Sequence, residues 1–326
     1  MKPSRRRFLS LAAGAAALPA VSRIAWAQTY PTRPITMIVP YPPGGAADTI
    51  GRIVVEKMRQ SLGQPIIIEN VGGAEGSIGT GRAAHARPDG YTVCLGLMDT
   101  HVLNGAFYSL TYDVLSDFAA ISALATNPVL LYARRTLPVN DVNDLIAWLK
   151  VQGNQASAGV NSLGLRLVAM LFQKQSGTQF SIIPHRAAGT GVQDLVAGRI
   201  DLLVDTPLQL SLVRSGTIKA LAVTSAARMG AAPEIPSFAE MGLPALSFLN
   251  WRGLFAPKGT PTDIIDKLNS AAVKALADPV VRSRFAELSF EVFPRERQTP
   301  EALAALQKAD AEKWWPIIRE FGIKAG

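Results

Sequence analysis

The chain has 326 residues, 48% of them apolar, which is room for two ordinary domains with sizeable cores. Its formal charge of +8 comes largely from the first 27 residues, which hold Lys2, Arg5, Arg6, Arg7 and Arg23 and no acid, so the remainder carries +3. That mild balance, with no basic run and no basic patch interleaved with aromatics, excludes a nucleic-acid-binding signature, and the single cysteine, Cys94, excludes an intrachain disulfide.

The first element is a targeting segment. Ser4, Arg5, Arg6, Arg7, Phe8 and Leu9 fit the twin-arginine pattern S-R-R-x-F-L. The apolar stretch from Phe8 to Val21 is shorter than the roughly 20 residues that cross a bilayer as a helix. Small residues flank Trp26 in Ala25-Trp26-Ala27, which places cleavage before Gln28 and predicts an exported chain with no stable membrane insertion. A leader that stays attached as an anchor is the competing reading.

Short apolar runs then alternate with amphipathic ones. "PITMIVPY" reads as a strand and "DTIGRIVVEKMRQSLG" as a helix, with Asp48 a candidate N-cap and Gly63 its end. "PIIIEN", "YTVCLGL" and "AAISALATNPVLLYAR", broken at Pro128, are further extended runs, and "SIGTGRAAHA" is a short helix. The alternation restarts with helix "VNDLIAWLK", strand "QASAGV", helix "LGLRLVAMLFQKQSG", strand "FSIIPH", helix "GTGVQDLVAGR", strands "IDLLVDT" and "IKALAVTS", with helix "PLQLSLVRSG" between them. A strand "NWRGLFAP" and helices near 261–277 and 299–321 close the chain. Near-continuous apolar strands separated by helices predict parallel sheets covered on both faces, and two successive alternations predict two α/β lobes. Extended runs near 120–132 and 218–226 are the expected crossings. The expected division is a leader at 1–27, a first lobe of 28–127 with 227–326, and a second lobe of 128–226.

Ligands of such sheets sit beyond the carboxyl ends of strands. "IVPYPPGGAAD" (38–48) ends the first strand: Pro42 and Pro43 stiffen the approach, Gly44 and Gly45 permit close backbone approach, and the helix behind presents unpaired N–H groups suited to an anion. A plain Pro-Gly turn is the alternative. "GGAEGSIGTG" (72–81) has no nucleotide-loop pattern and carries Glu75, unwelcome beside a phosphate, so close packing is its expected role. In the second half, Gly159, Asn161 and Ser162, then His185, Arg186, Gly189 and Thr190, then Asp205 and Thr206 stand at comparable strand ends, where helix caps and turns compete with binding roles. Trp251, in "NWRG", is an aromatic ligand-contact candidate near an expected crossing.

Catalytic equipment is sparse. His85 reads as a surface residue at a helix end and His101 as a loop residue. Cys94, in an apolar strand, reads as a buried inert thiol. No metal-ligand spacing and no nucleophile elbow occurs, so neither a metal nor a cofactor is expected.

With these pieces in order, the chain resembles the Bug family of solute-binding proteins of tripartite tricarboxylate transporters. "YPTRPITMIVPYPPGGAADTIGRIVVEKM", "LGQPIIIENVGGAEGSIGT", "RPDGYTVCLG", "LVAGRIDLLVD", "IKALAVTSAAR", "PEIPSFAEMGLP" and "WRGLFAPKGTP" match its segments in sequence order. The resemblance implies a type II periplasmic-binding-protein fold, two α/β lobes joined by two extended crossing segments, and a monomer that binds a small carboxylate without transforming it. It places ligand contacts at Tyr41, Pro43, Gly44, Gly45, Ala46 and Asp48 in one lobe, and at Gly159, Asn161, Ser162, His185, Gly189, Thr190 and Asp205 in the other. The chain departs from the family pattern with Gly72 for proline, Glu75 and Asn161 for glycine, and His185 for tyrosine. A histidine there predicts a pH-dependent affinity.

The function expected is periplasmic capture of a carboxylate for delivery to membrane transporter subunits, with no enzymatic step. A periplasmic sensor for a signalling receptor would share the fold. A secreted α/β enzyme would need a catalytic constellation that the sequence does not display.

Overall fold

A computed structural model of the protein describes residues 30–185 and 189–322. The expected leader with its cleavage point at Gln28 lies outside the described residues, as does Arg186.

The first sheet begins with β1 (Ile35–Val39), β2 (Ile66–Asn70) and β3 (Thr92–Leu97). Between β1 and β2 runs α1 (Ala46–Leu62), which buries Ile50, Ile53, Val54 and Met58 at helical spacing against the sheet. Gly63 ends it at φ 67°, its N–H returning to Arg59 O, as the sequence predicts. The helix starts one turn earlier than expected: Gly45 is its N-cap, and Asp48 lies inside its first turn. Then come α2 (Ser77–Ala84), a π-helical turn at Asp99–Leu103, α3 (Asn104–Phe107) and β4 (Phe118–Asn127).

The second sheet contains β5 (Leu130–Arg134), β6 (Ser157–Val160), β7 (Ser181–Pro184), β8 (Leu202–Asp205) and β9 (Ile218–Val223). Its helices are α4 (Val142–Gln152), α5 (Leu163–Ser176), α6 (Thr190–Val196) and α7 (Leu210–Arg214). The chain returns to the first sheet in β10 (Asn250–Pro257), then adds α8 (Thr262–Ala277), α9 (Pro279–Glu287), β11 (Glu291–Val292) and α10 (Pro300–Glu320). Helix α9 has no counterpart in the sequence reading; Asp278 caps it and Pro279 opens it.

The strand orders are β11-β4-β10-β3-β1-β2 and β7-β6-β8-β5-β9. Neither sheet is purely parallel, which corrects the sequence expectation. β10 runs antiparallel to β3 and β4, and β5 antiparallel to β8 and β9. The physical reason lies in the crossings: a chain that leaves one sheet for the other enters it from the opposite end.

The first crossing is the pair Pro128–Val129, between β4 and β5. Thr224, 1% exposed, ties it to the return path. Its N–H donates to Val129 O at 2.8 Å, its hydroxyl accepts from Val129 N at 2.9 Å and donates to Phe248 O at 2.7 Å, and its carbonyl accepts from Phe248 N at 3.1 Å. The second crossing therefore lies later than expected. Residues 227–249, assigned from sequence to the first lobe, stay with the second sheet: Phe238 N donates to Val223 O at 2.9 Å, and the Phe238 ring lies 6.0 Å from that of Phe172 on α5. One apolar cluster continues from Met98, Val102 and Leu103 of the first lobe through Leu163, Leu167 and Phe172 of α5 to Phe248 and Trp314. It sets the two lobes against each other beside the strand ends that carry the site.

Candidate functional site

Asp48 organises the loop at the end of β1. The carboxylate, 3% exposed, accepts from Gly44 N at 2.9 Å, Arg52 Nε at 2.9 Å and Asn70 Nδ2 at 3.0 Å, and the same Asn70 amide donates to Tyr41 O at 3.1 Å. Burial pushes its pKa up, but the hydrogen bonds from Arg52, Gly44 and Asn70 outweigh it and hold the group below the usual carboxylate range. Asp48 therefore braces the loop from behind. Gly44 sits at φ +83°, and a Cβ there would meet open space, as it nearly would at Gly45, whose nearest atom is Pro42 O at 3.8 Å. The first-turn amides of Ala46 and Ala47 follow, with no intrahelical acceptor available to them. Pro43 is exposed beside them.

The glycine-rich stretch after β2 packs tightly. A Cβ on Gly76 would lie 2.7 Å from Thr100 Cγ2, and one on Gly79 would lie 2.4 Å from Val71 O. Glu75 projects from this turn at φ +51°. Burial first, and the Asp99 carboxylate second, raise its pKa, against the opposing charge of Arg166 on α5.

The turn after β3 supplies residues that the sequence reading passed over. Asp99, 2% exposed, accepts the amide of Gly164 in the first turn of α5 at 2.9 Å, so a carboxylate of one lobe meets a helix N-terminus of the other. Burial raises its pKa, opposed by Arg252, Ser162 and Gly164. Asn104 is fully buried and donates Nδ2 to Glu75 O at 3.1 Å. His101, read from sequence as a loop residue, is fully buried instead, stacked 4.1 Å from the Phe255 ring, and burial pushes its pKa down to about 3. The available signal was the polar run "DTHVLN" immediately past a strand's carboxyl end, the same rule that singled out 41–48.

In the second lobe, Ser162 caps α5, its hydroxyl accepting from Leu165 N. Asn161 beside it hydrogen-bonds to Asp205, which is 6% exposed and also accepts from Thr206 N at 2.8 Å; burial nevertheless leaves the Asp205 pKa raised. His185 is held by its own lobe. Its Nε2 lies 3.1 Å from Asp194 Oδ2 and its Nδ1 3.1 Å from Ile183 O, so both ring nitrogens are engaged within the lobe. Gly159 makes room for that ring, since a Cβ there would lie 3.0 Å from His185 Cε1. Gly189, at φ +89°, and Thr190 open the short helix α6.

Trp251, a ligand-contact candidate from sequence, lies in the core. It is 1% exposed, and its indole N–H donates to Asp310 Oδ2 at 2.7 Å, because β10 is a central strand covered on both faces. Cys94 is fully buried, which pushes its thiol pKa up. Among the described residues, no three metal-ligating side chains gather and no helix is long and apolar enough to cross a membrane. The structure thus assembles Tyr41–Asp48, Glu75, Asp99 and Asn104 with the start of α5, in an arrangement suited to holding a small polar molecule.

Residues 50–323 match the family described as "Tripartite tricarboxylate transporter family receptor". Protein BugT of Bordetella pertussis is 34% identical over 303 residues, covering 91% of this chain and 92% of that protein. The solved structure of the periplasmic binding protein BugD superposes with a TM-score of 0.80 at 31% identity, over 90% of this chain and 99% of BugD. MatC from Rhodopseudomonas palustris, solved with bound malate, gives a TM-score of 0.80 at 32% identity over 89% of this chain and all of MatC.

Proposed function

Because the chain belongs to the tripartite tricarboxylate transporter receptor family, whose members bind solutes and are not enzymes, we propose that it captures a small carboxylate between its lobes and delivers it to the membrane subunits of such a transporter. It works in the periplasm as a monomer, exported by the twin-arginine leader at 1–27. The observation that carries the reading is the uncovered start of α1. A Cβ on Gly44 would meet no atom and one on Gly45 only Pro42 O at 3.8 Å, next to first-turn amides that lack intrahelical acceptors, at the carboxyl end of β1. The malate held by MatC is an anion of the kind such amides accommodate.

Tyr41, Pro43, Gly44, Gly45 and Ala46 form one jaw. Gly159, Asn161, Ser162, Gly189 and Thr190 form the other. Asp48, Asp205 and His185 position these segments: Asp48 through Gly44, Asp205 through Asn161, and His185 through α6. Ligand favours the closed arrangement by its higher affinity for it, with Pro128–Val129 and the hydrogen-bonded Thr224 and Phe248 as the hinge.

A thermal-shift panel of mono-, di- and tricarboxylates tests this. A binder raises Tm by mass action. Gly45→Val, which covers the α1 amides, and Asp205→Ala, which releases Asn161, each reduce that shift. Unchanged shifts in both variants, or chemical turnover of a bound compound, overturn the reading.

A further inference from the structure

Glu75 sits on a strap of left-handed backbone. Gly73, Ala74, Glu75 and Gly76 have φ of +119°, +46°, +51° and +83°, although two of the four carry side chains. Such backbone is strained and persists only where its surroundings fix it. Here they do. Gly76 N donates to Gly73 O at 3.0 Å, Ser77 Oγ to Ala74 O at 2.7 Å, Asn104 Nδ2 to Glu75 O at 3.1 Å and Thr80 Oγ1 to Gly76 O at 2.9 Å. The strap therefore holds Glu75 in one place on the first lobe.

Arg166 stands opposite, near the start of α5 in the second lobe. The hydrogen bond from Gly164 N to Asp99 keeps that helix start beside the first lobe. Glu75 and Arg166 lie within electrostatic reach of each other, and the Tyr108 side chain lies within reach of both. Yet among the described residues no hydrogen bond or ion pair engages the Glu75 carboxylate or the Arg166 guanidinium. Both residues are half-buried, so each charge is partly stripped of water with no partner in return. The Asp99 carboxylate repels Glu75 and makes a cation beside it more favourable still. Two unpaired opposite charges on facing lobes gain most from the last short approach that brings them into contact.

Building on the reading that the lobes close by a hinge, we infer that Glu75 and Arg166 form a latch: they pair directly as the lobes close and hold the closed arrangement together, with Tyr108 beside them. Both are positioning residues, and neither has to touch the captured solute. Because the strap fixes Glu75, the pair forms by movement of the lobes and breaks when they part.

Pulsed electron–electron distance measurements on the full mature chain, with spin labels at Ile67→Cys and Val151→Cys, test the latch by reading the ratio of closed to open molecules. The two label sites are exposed and lie on different lobes, and the native Cys94 is buried. At pH 8 and low salt, Glu75→Gln and Arg166→Gln are each expected to lower that ratio about threefold to tenfold. The double variant is expected within about twofold of either single one, since the second substitution has no partner left to remove. Salt at about 1 M is expected to lower the wild-type ratio and to leave the double variant unchanged. Melting curves report that each variant is folded. A ratio that ignores both substitutions, or losses that multiply in the double variant, overturns the latch. The same labels with L-malate, succinate or citrate keep the two readings apart. Shortening of the distance by one of these probes, alongside variants that match wild type, overturns the latch alone. A distance that no probe and no variant alters removes hinge closure as well.

Discussion

The carboxylate of Asp99 in the first lobe accepts the backbone amide of Gly164 in the second at 2.9 Å, across 65 positions of sequence. It satisfies an orphan donor of α5 and brings a buried negative charge to the positive end of that helix. Asp99→Ala leaves the Gly164 amide without its acceptor and Arg252 without a nearby counter-charge, and is expected to destabilise by about 2–3 kcal/mol. Asp99→Asn keeps an oxygen in place and removes a desolvated charge, so its cost is expected to stay below about 1 kcal/mol. Urea unfolding measures both; an Asn variant as damaged as the Ala variant would show that charge, and not the acceptor, matters there.

Thr224 knots the two crossings together. Thr224→Val keeps the shape and deletes the hydroxyl, which strands Val129 N and Phe248 O in the interior. The expected cost is about 2–4 kcal/mol for two buried groups left unsatisfied. Denaturant midpoints check it, and a loss below about 0.5 kcal/mol would mean that the crossing relaxes to find other partners.

His101 makes stability depend on pH. Its folded pKa of about 3 lies below its ordinary value of 6.5, so the unfolded chain binds a proton that the folded chain refuses between those values. Stability is therefore lost as pH falls from about 6.5 toward 3, by up to about 1.4 kcal/mol per pH unit. Glu75, Asp99 and Asp205, whose pKa values are raised, act with the opposite sign above the ordinary carboxylate range. The difference between wild type and His101→Gln isolates the histidine. The variant's stability-versus-pH curve is expected to be flatter on its acid side, and parallel curves would refute the assignment.

Gly79 has no space for a side chain. A Cβ would lie 2.4 Å from the Val71 carbonyl and 3.0 Å from Pro40 Cα, both backbone atoms. Gly79→Ala is expected to destabilise by about 1–3 kcal/mol and to displace the loop that carries Glu75. Gly44→Ala meets no atom but forces alanine to φ +83°, so its expected cost is about 1–2 kcal/mol of backbone strain. Thermal melting of both variants, compared with wild type, decides the order.

Much of the local architecture was legible in the residues themselves. "NWRGLFAP" is β10 residue for residue, Gly63 closes α1, and Pro128 divides β4 from β5. Apolar periodicity and the conformational limits of glycine and proline act over a few residues, so they can be read from a few residues. The 41–48 loop was found by the same logic, because a strand end followed by a helix start is a local pattern.

Tertiary structure alone decided how those pieces are used. Strand direction in both sheets followed from where the crossings enter. Asp48 became a brace because Asn70 and Arg52 converge on it, Trp251 became core because β10 is flanked by β3 and β4, and His185 was claimed by Asp194. The stretch "IVPYPPGGAAD" shows both halves: its prolines and glycines dictate the turn, while Asn70, Glu75 and Asp99, from other elements, set the surroundings of Tyr41 within it. The reason is physical. A side chain's burial, charge and partners depend on residues distant in sequence, and none of those distances exists before the chain has folded.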